Sequence, residues 1–140
     1  MSKPSGSSAS LTRSCILAGA VLMFLAILLG AFGAHLLQDR LEPVRLASFR
    51  TGVLYQQIHA LALVVLGLVA ALGPPSRLLS WSARLMLLGT LLFSGSIYLM
   101  TAGLPRWLGA VTPLGGLSFM AAWLLLAVHG WRSRGTFRKV

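Results

Sequence analysis

The chain has 140 residues, of which 56% are hydrophobic and only 10% charged, and its net charge is +10. A soluble domain carries about a quarter of its residues as Asp, Glu, Lys or Arg, so this composition excludes a water-covered surface; it equally excludes a chain disordered throughout. The single cysteine, Cys15, excludes an intramolecular disulfide and a cysteine-built metal cluster, which leaves an integral membrane protein.

Met1 to Ser10 is rich in Ser, Gly and Pro and has almost nothing apolar to bury, which predicts a disordered tail over residues 1–12. Four uncharged runs follow, each near the roughly 20 residues a spanning helix needs. They predict spans over about 14–37, 52–72, 85–104 and 108–128, packed as one all-α four-helix bundle within residues 13–130. The first run has a basic flank, and Ala31-Phe32-Gly33 loosely resembles a signal-cleavage site, but its apolar stretch is too long for a typical signal core. Between the first two spans, Leu41, Val44, Ala47 and Phe49 recur at near-helical spacing, with Pro43 suited to a first helical turn. That pattern predicts a short interfacial helix over about 42–51 leading into the second span. Residues 131–140 form a basic tail.

Orientation follows from the distribution of cations. Four spans place Lys3, Arg13, Arg77, Arg84, Arg132, Arg134, Arg138 and Lys139 on one side, against Arg40, Arg45, Arg50 and Arg106 on the other. Eight against four predicts that both termini are cytoplasmic, because cytoplasmic flanks carry the Lys/Arg excess. The same bias accounts for the basic charge without a nucleic-acid partner; the bilayer is the partner.

Polar residues inside a span must face protein or water. At 1.5 Å per residue, His59 and Tyr98 fall at a similar depth, roughly 10 Å below the outer boundary, with Ser94 and Ser96 slightly deeper and Thr112 and His35 nearer the surface. Tyr55, Gln56 and His59 share one helix face. The inner halves of the spans are nearly featureless, so the layer is one-sided. Small residues accompany it: Ala26, Gly30 and Ala34 recur every four positions, Gly95 lies between the two serines, and Gly115 and Gly116 follow Thr112-Pro113. Such residues let helices approach closely. Either Thr112 caps a helix starting at Pro113, or a kinked helix begins near Leu108. The layer reads in two ways. In one it is interhelical hydrogen bonding; in the other it is a pocket open to the outer leaflet with His59 as proton acceptor or ligand.

Four motifs in the chain resemble those of a known family. Gly30-Ala31-Phe32-Gly33-Ala34-His35, Tyr55-Gln56 with His59-Ala60-Leu61-Ala62-Leu63, Leu92-Phe93-Ser94-Gly95-Ser96-Ile97-Tyr98 and Thr112-Pro113-Leu114-Gly115-Gly116 resemble the YgdD-like proteins, the domain-of-unknown-function 423 family, which has animal members of the transmembrane-protein-256 type. The resemblance covers about Cys15 to Val128. It implies a small multi-spanning protein, in bacteria of the inner membrane, with no established activity and so no catalytic residue to carry over.

The residues offer no catalytic constellation. There is no His-x-x-x-His pair, paired carboxylate or phosphate loop, and Cys15 sits alone, so neither an enzyme nor a metal site is expected. No cofactor is expected either: haem would need facing ligands, and His35 and His59 differ in depth while His129 lies at the opposite boundary. Transport through an oligomer, with His59 as proton carrier, is the alternative to an accessory or structural component that docks onto a larger membrane complex or onto its own copies.

Overall fold

A computed structural model describes residues 6–133, and these form four long helices: α1 (Gly6–Phe32), α2 (Pro43–Leu72), α3 (Arg77–Thr101) and α4 (Thr112–Arg132). A π-helical turn, Gly33–Leu37, extends α1, and a 3₁₀ turn, Arg106–Ala110, precedes α4. With those turns, the segments Ser8–Leu37, Pro43–Leu72, Arg77–Thr101 and Arg106–Arg132 are each long and apolar enough to cross a membrane.

The helices start earlier than the uncharged runs suggest. Residues 6–12, the described part of the head expected to be disordered, are already helical and continuous with α1, and Ser8 is buried. Residues 1–5 and 134–140, including most of the basic tail, lie outside the described residues. The segment expected as a separate interfacial helix is helical, with Pro43 in its first turn, but it runs into the second span without a break. No residue there lacks the backbone donor or geometry a helix needs after Pro43, so nothing stops propagation. Likewise α3 begins at Arg77, where the Ser76 side chain accepts from the Leu79 N–H at 3.5 Å and caps the helix.

At the start of α4 the two readings of Thr112-Pro113 resolve in favour of a helix with Pro113 in its first turn, after a 3₁₀ approach. Thr112 does not cap it. Its hydroxyl turns sideways to Ser96 instead, 2.7 Å away.

The architecture is two antiparallel hairpins, α1–α2 and α3–α4, joined by the four-residue turn 73–76 and packed mainly through α2 and α3. A shared core joins Cys15 of α1, Leu63 and Leu66 of α2, Met86 of α3 and Ala122 of α4. Close approach within each hairpin depends on glycine. A Cβ at Gly19 would lie 2.6 Å from the Ala60 carbonyl oxygen, and one at Gly115 would lie 2.5 Å from the Phe93 nitrogen. At both sites the neighbour is backbone, so a larger residue forces the helices apart.

Candidate functional site

The sequence-selected polar residues divide among three helix contacts. Gln56 sits where three helices meet. It is 4% exposed, its Nε2 donates to the Leu22 carbonyl of α1 at 2.8 Å, and its Oε1 accepts from the Tyr98 hydroxyl of α3 at 2.8 Å. One turn earlier on α2, the Gly52 carbonyl accepts a 2.7 Å bond from Ser94. Tyr98 also packs beside Gly52 and against Phe49, with ring centroids 5.3 Å apart.

His59 points to the other side of α2, toward α4. Its Nε2 lies 3.2 Å from Trp123 Nε1, and its Nδ1 lies 2.8 Å from the Tyr55 carbonyl. An indole N–H can only donate, so Nε2 is the acceptor and the imidazole proton is on Nδ1, donated to Tyr55. Both ring nitrogens are therefore occupied within the chain. The ring stacks on Phe119 at 3.4 Å and 11°, and Tyr55 stacks on Phe93 at 4.6 Å and 25°. The result is an aromatic contact joining α2, α3 and α4, in which a neutral histidine satisfies its two polar atoms.

The third contact joins α3 to α4. Ser96 donates to the Phe93 carbonyl at 2.9 Å, so its single proton is used and the 2.7 Å bond with Thr112 takes Thr112 as donor. His35 is not part of the layer: it lies exposed on the π-helical turn.

Polar bonding also extends beyond the expected depth. Ser82 is fully buried and donates to the Ala122 carbonyl at 2.8 Å, at the end of the helices nearer both termini. Ser76 and His129 meet at 3.1 Å still closer to that end. At the opposite end, Arg45 donates to the Met100 and Thr101 carbonyls at 3.0 and 3.3 Å, capping the last turn of α3. The polar side chains thus tie helices together along their whole length rather than at one level.

The small residues fall into two groups. Ala26 is fully buried, Gly30 faces Val53 at 3.5 Å, and Gly115 is pressed against Phe93. Ala34 is exposed, and a Cβ at Gly95 or Gly116 would meet nothing within 4 Å. The tight contacts that the sequence spacing does not single out are at Gly19, Gly33, Gly67 and Gly89; a Cβ at the last would lie 2.5 Å from the Phe119 ring. The sequence pattern does not single out Trp123 or Ser82 either. Among the described residues, no group of three or more His, Cys, Asp or Glu side chains converges where it could hold a metal ion.

Residues 29–116, which carry most of these contacts, match the family model described as Protein of unknown function (DUF423). The chain is 40% identical over 125 residues to the UPF0382 inner membrane protein YgdD of Escherichia coli strain K12, covering 86% of this chain and 92% of that protein. It is 37% identical over 120 residues to a UPF0382 membrane protein of Staphylococcus haemolyticus, covering 86% and 97%, and 38% identical over 113 residues to one of Staphylococcus epidermidis, covering 81% and 91%. No solved structure matches the chain. Family-model match and near full-length similarity agree, and the chain belongs to the DUF423 family of membrane proteins.

Proposed function

We propose that this protein is an accessory or structural component of the bacterial cytoplasmic membrane, not an enzyme, and that its polar layer holds its own helices in register. One observation carries the reading: both His59 ring nitrogens and both ends of the Gln56 amide are engaged by atoms of the same chain. A proton carrier or ligand-binding histidine needs a nitrogen that can be reached; this one would have to give up Trp123 first. The inner-membrane name of the Escherichia coli relative supports the compartment. The excess of Lys and Arg at the end bearing both termini supports cytoplasmic termini. Association with a larger complex or a second copy would use the lipid-facing apolar surface of α1 and α4, where Val21, Phe24, Leu117 and Met120 are exposed.

Purification from native membranes in mild detergent, followed by mass spectrometry, should recover a membrane partner or a homo-oligomer in fixed ratio. In proteoliposomes containing a pH-sensitive dye, the protein and its His59→Phe variant should show the same proton leak. A leak that disappears with His59 would replace the accessory reading with proton-coupled transport.

A further inference from the structure

Between α1 and α3 runs a groove with α2 at its floor. One stretch, of about 390 Å³, is lined by residues that include Ser10, Ser14, Ser80 and Arg84 beside apolar Ala18, Leu63 and Leu87. The next, of about 570 Å³, is lined by residues that include Leu22, Leu25, Gln56, Leu91 and Gly95. Ala18 and Leu22 are one turn apart on α1, as are Leu87 and Leu91 on α3, so the two stretches are consecutive. Each has a volume typical of small-ligand sites, about 300–1,000 Å³.

The groove carries its charge and its serines at one end and is mainly apolar along the rest. At the polar end, three serines surround Arg84, whose guanidinium stacks over the Trp81 ring at 5.1 Å. A cation over a ring face is held by the ring's quadrupole, and the guanidinium has five N–H donors with which to meet an anion. No Asp or Glu of the chain can supply that anion: the two that exist, Asp39 and Glu42, precede α2 at the opposite end of the helices. From Arg84 to Gly95 the helix rises about 16 Å, close to half of the roughly 30 Å hydrocarbon thickness, or one acyl layer. At Gly95 the space is open, with nothing within 4 Å of a Cβ position.

We propose that this groove holds one anionic phospholipid, with its phosphate at Arg84 among Ser10, Ser14 and Ser80 and one acyl chain lying along the apolar wall toward Gly95. The fit is chemical: a cation with no ion-pair partner among the described residues, with hydroxyls beside it, continuous with a chain-deep apolar channel. The proposal does not depend on the accessory reading or on orientation, since it concerns whichever leaflet faces Arg84.

The test uses the full chain in nanodiscs of equal dioleoyl phosphatidylglycerol and dioleoyl phosphatidylcholine, released for native mass spectrometry. One phosphatidylglycerol should be retained in preference to phosphatidylcholine. Arg84→Gln should lower that preference about fivefold, the effect of one basic residue at an anionic lipid surface. Gly95→Leu, whose Cβ would meet no neighbour and whose side chain would occupy the chain path, should abolish retention of either lipid while the circular dichroism spectrum is unchanged. Equal retention of the two lipids, or no effect of Arg84→Gln, would overturn the proposal. So would displacement of the lipid by glycerol phosphate, which marks a soluble-phosphate site, or a protein dimer that Gly95→Leu dissociates, which puts a second copy in the groove.

Discussion

The Gln56 side chain joins three helices with two hydrogen bonds, and its value can be measured atom by atom. Interhelical hydrogen bonds in a membrane average about 0.6 kcal/mol, with a maximum near 1.7, because the separated helices also find partners. Gln56→Leu and Tyr98→Phe should each lower stability, and the double-mutant cycle should show a coupling of about 0.6 kcal/mol in mixed-micelle unfolding. Additive effects would mean that the 2.8 Å contact between them contributes nothing. Trp123→Phe tests the histidine in the same way: it leaves His59 Nε2 without its donor and should cost on the order of 0.6–1.7 kcal/mol, while Trp81→Phe leaves that bond untouched. At this scale the sequence was half legible. Gln56, His59, Ser94, Ser96, Tyr98 and Thr112 stand out because polar atoms in an apolar run need partners. Most of the partners do not, since the Leu22, Gly52 and Ala122 carbonyls are backbone and carry no residue signature. Trp123 was hidden because an indole counts as apolar although it holds a donor. Ser82 was hidden behind Arg84, which reads as a span boundary but sits inside a helix that begins at Arg77.

At the scale of the element, helix packing follows a finer period than the sequence spacing suggests. Ala26, Gly30 and Ala34 recur every four residues, and at 3.6 residues per turn each step of four overshoots a full turn by about 40°. By Ala34 the face has rotated away from α2, and the contact passes to Gly33, where a Cβ would lie 2.7 Å from the Phe49 ring. The buried positions of α1 and the π-helical turn that extends it, Ser8, Cys15, Gly19, Ala26 and Gly33, follow steps of seven and four, as in a left-handed helix pair. The α3–α4 pair makes a sharper prediction. Gly115→Ala drives a methyl into the Phe93 backbone and should destabilise by about 1–3 kcal/mol. Gly116→Ala, one residue along and facing open space, should be neutral or stabilising by up to about 1 kcal/mol through helix propensity. Thermal melts of the two variants in detergent separate them; equal melting temperatures would contradict the close α3–α4 approach.

For the whole molecule, the number of helices and their membrane character were legible because hydrocarbon thickness sets a length that uncharged runs must meet. Their true ends were not, because Lys and Arg mark where the chain meets water, whereas capping and turn residues such as Ser76 and Pro113 mark where a helix starts. Which helices neighbour one another was not legible either, since it depends on glycines whose contacts are with backbone. Orientation remains a prediction of charge: fluorescent-protein fusions at either terminus should fluoresce, and alkaline phosphatase fused after Arg40 should be active. Exchanging Arg77 and Arg84 for Gln should weaken that bias.

Continuity of α2 has a mechanical meaning. Its 30 residues give a rod about 45 Å long, against roughly 30 Å of hydrocarbon, so its first turns project past the oily layer. Arg45 rivets that projecting end to the last carbonyls of α3. With no hinge between Pro43 and His59, a force applied at the water-facing tip is delivered to the aromatic contact with α4 as leverage, not absorbed by bending.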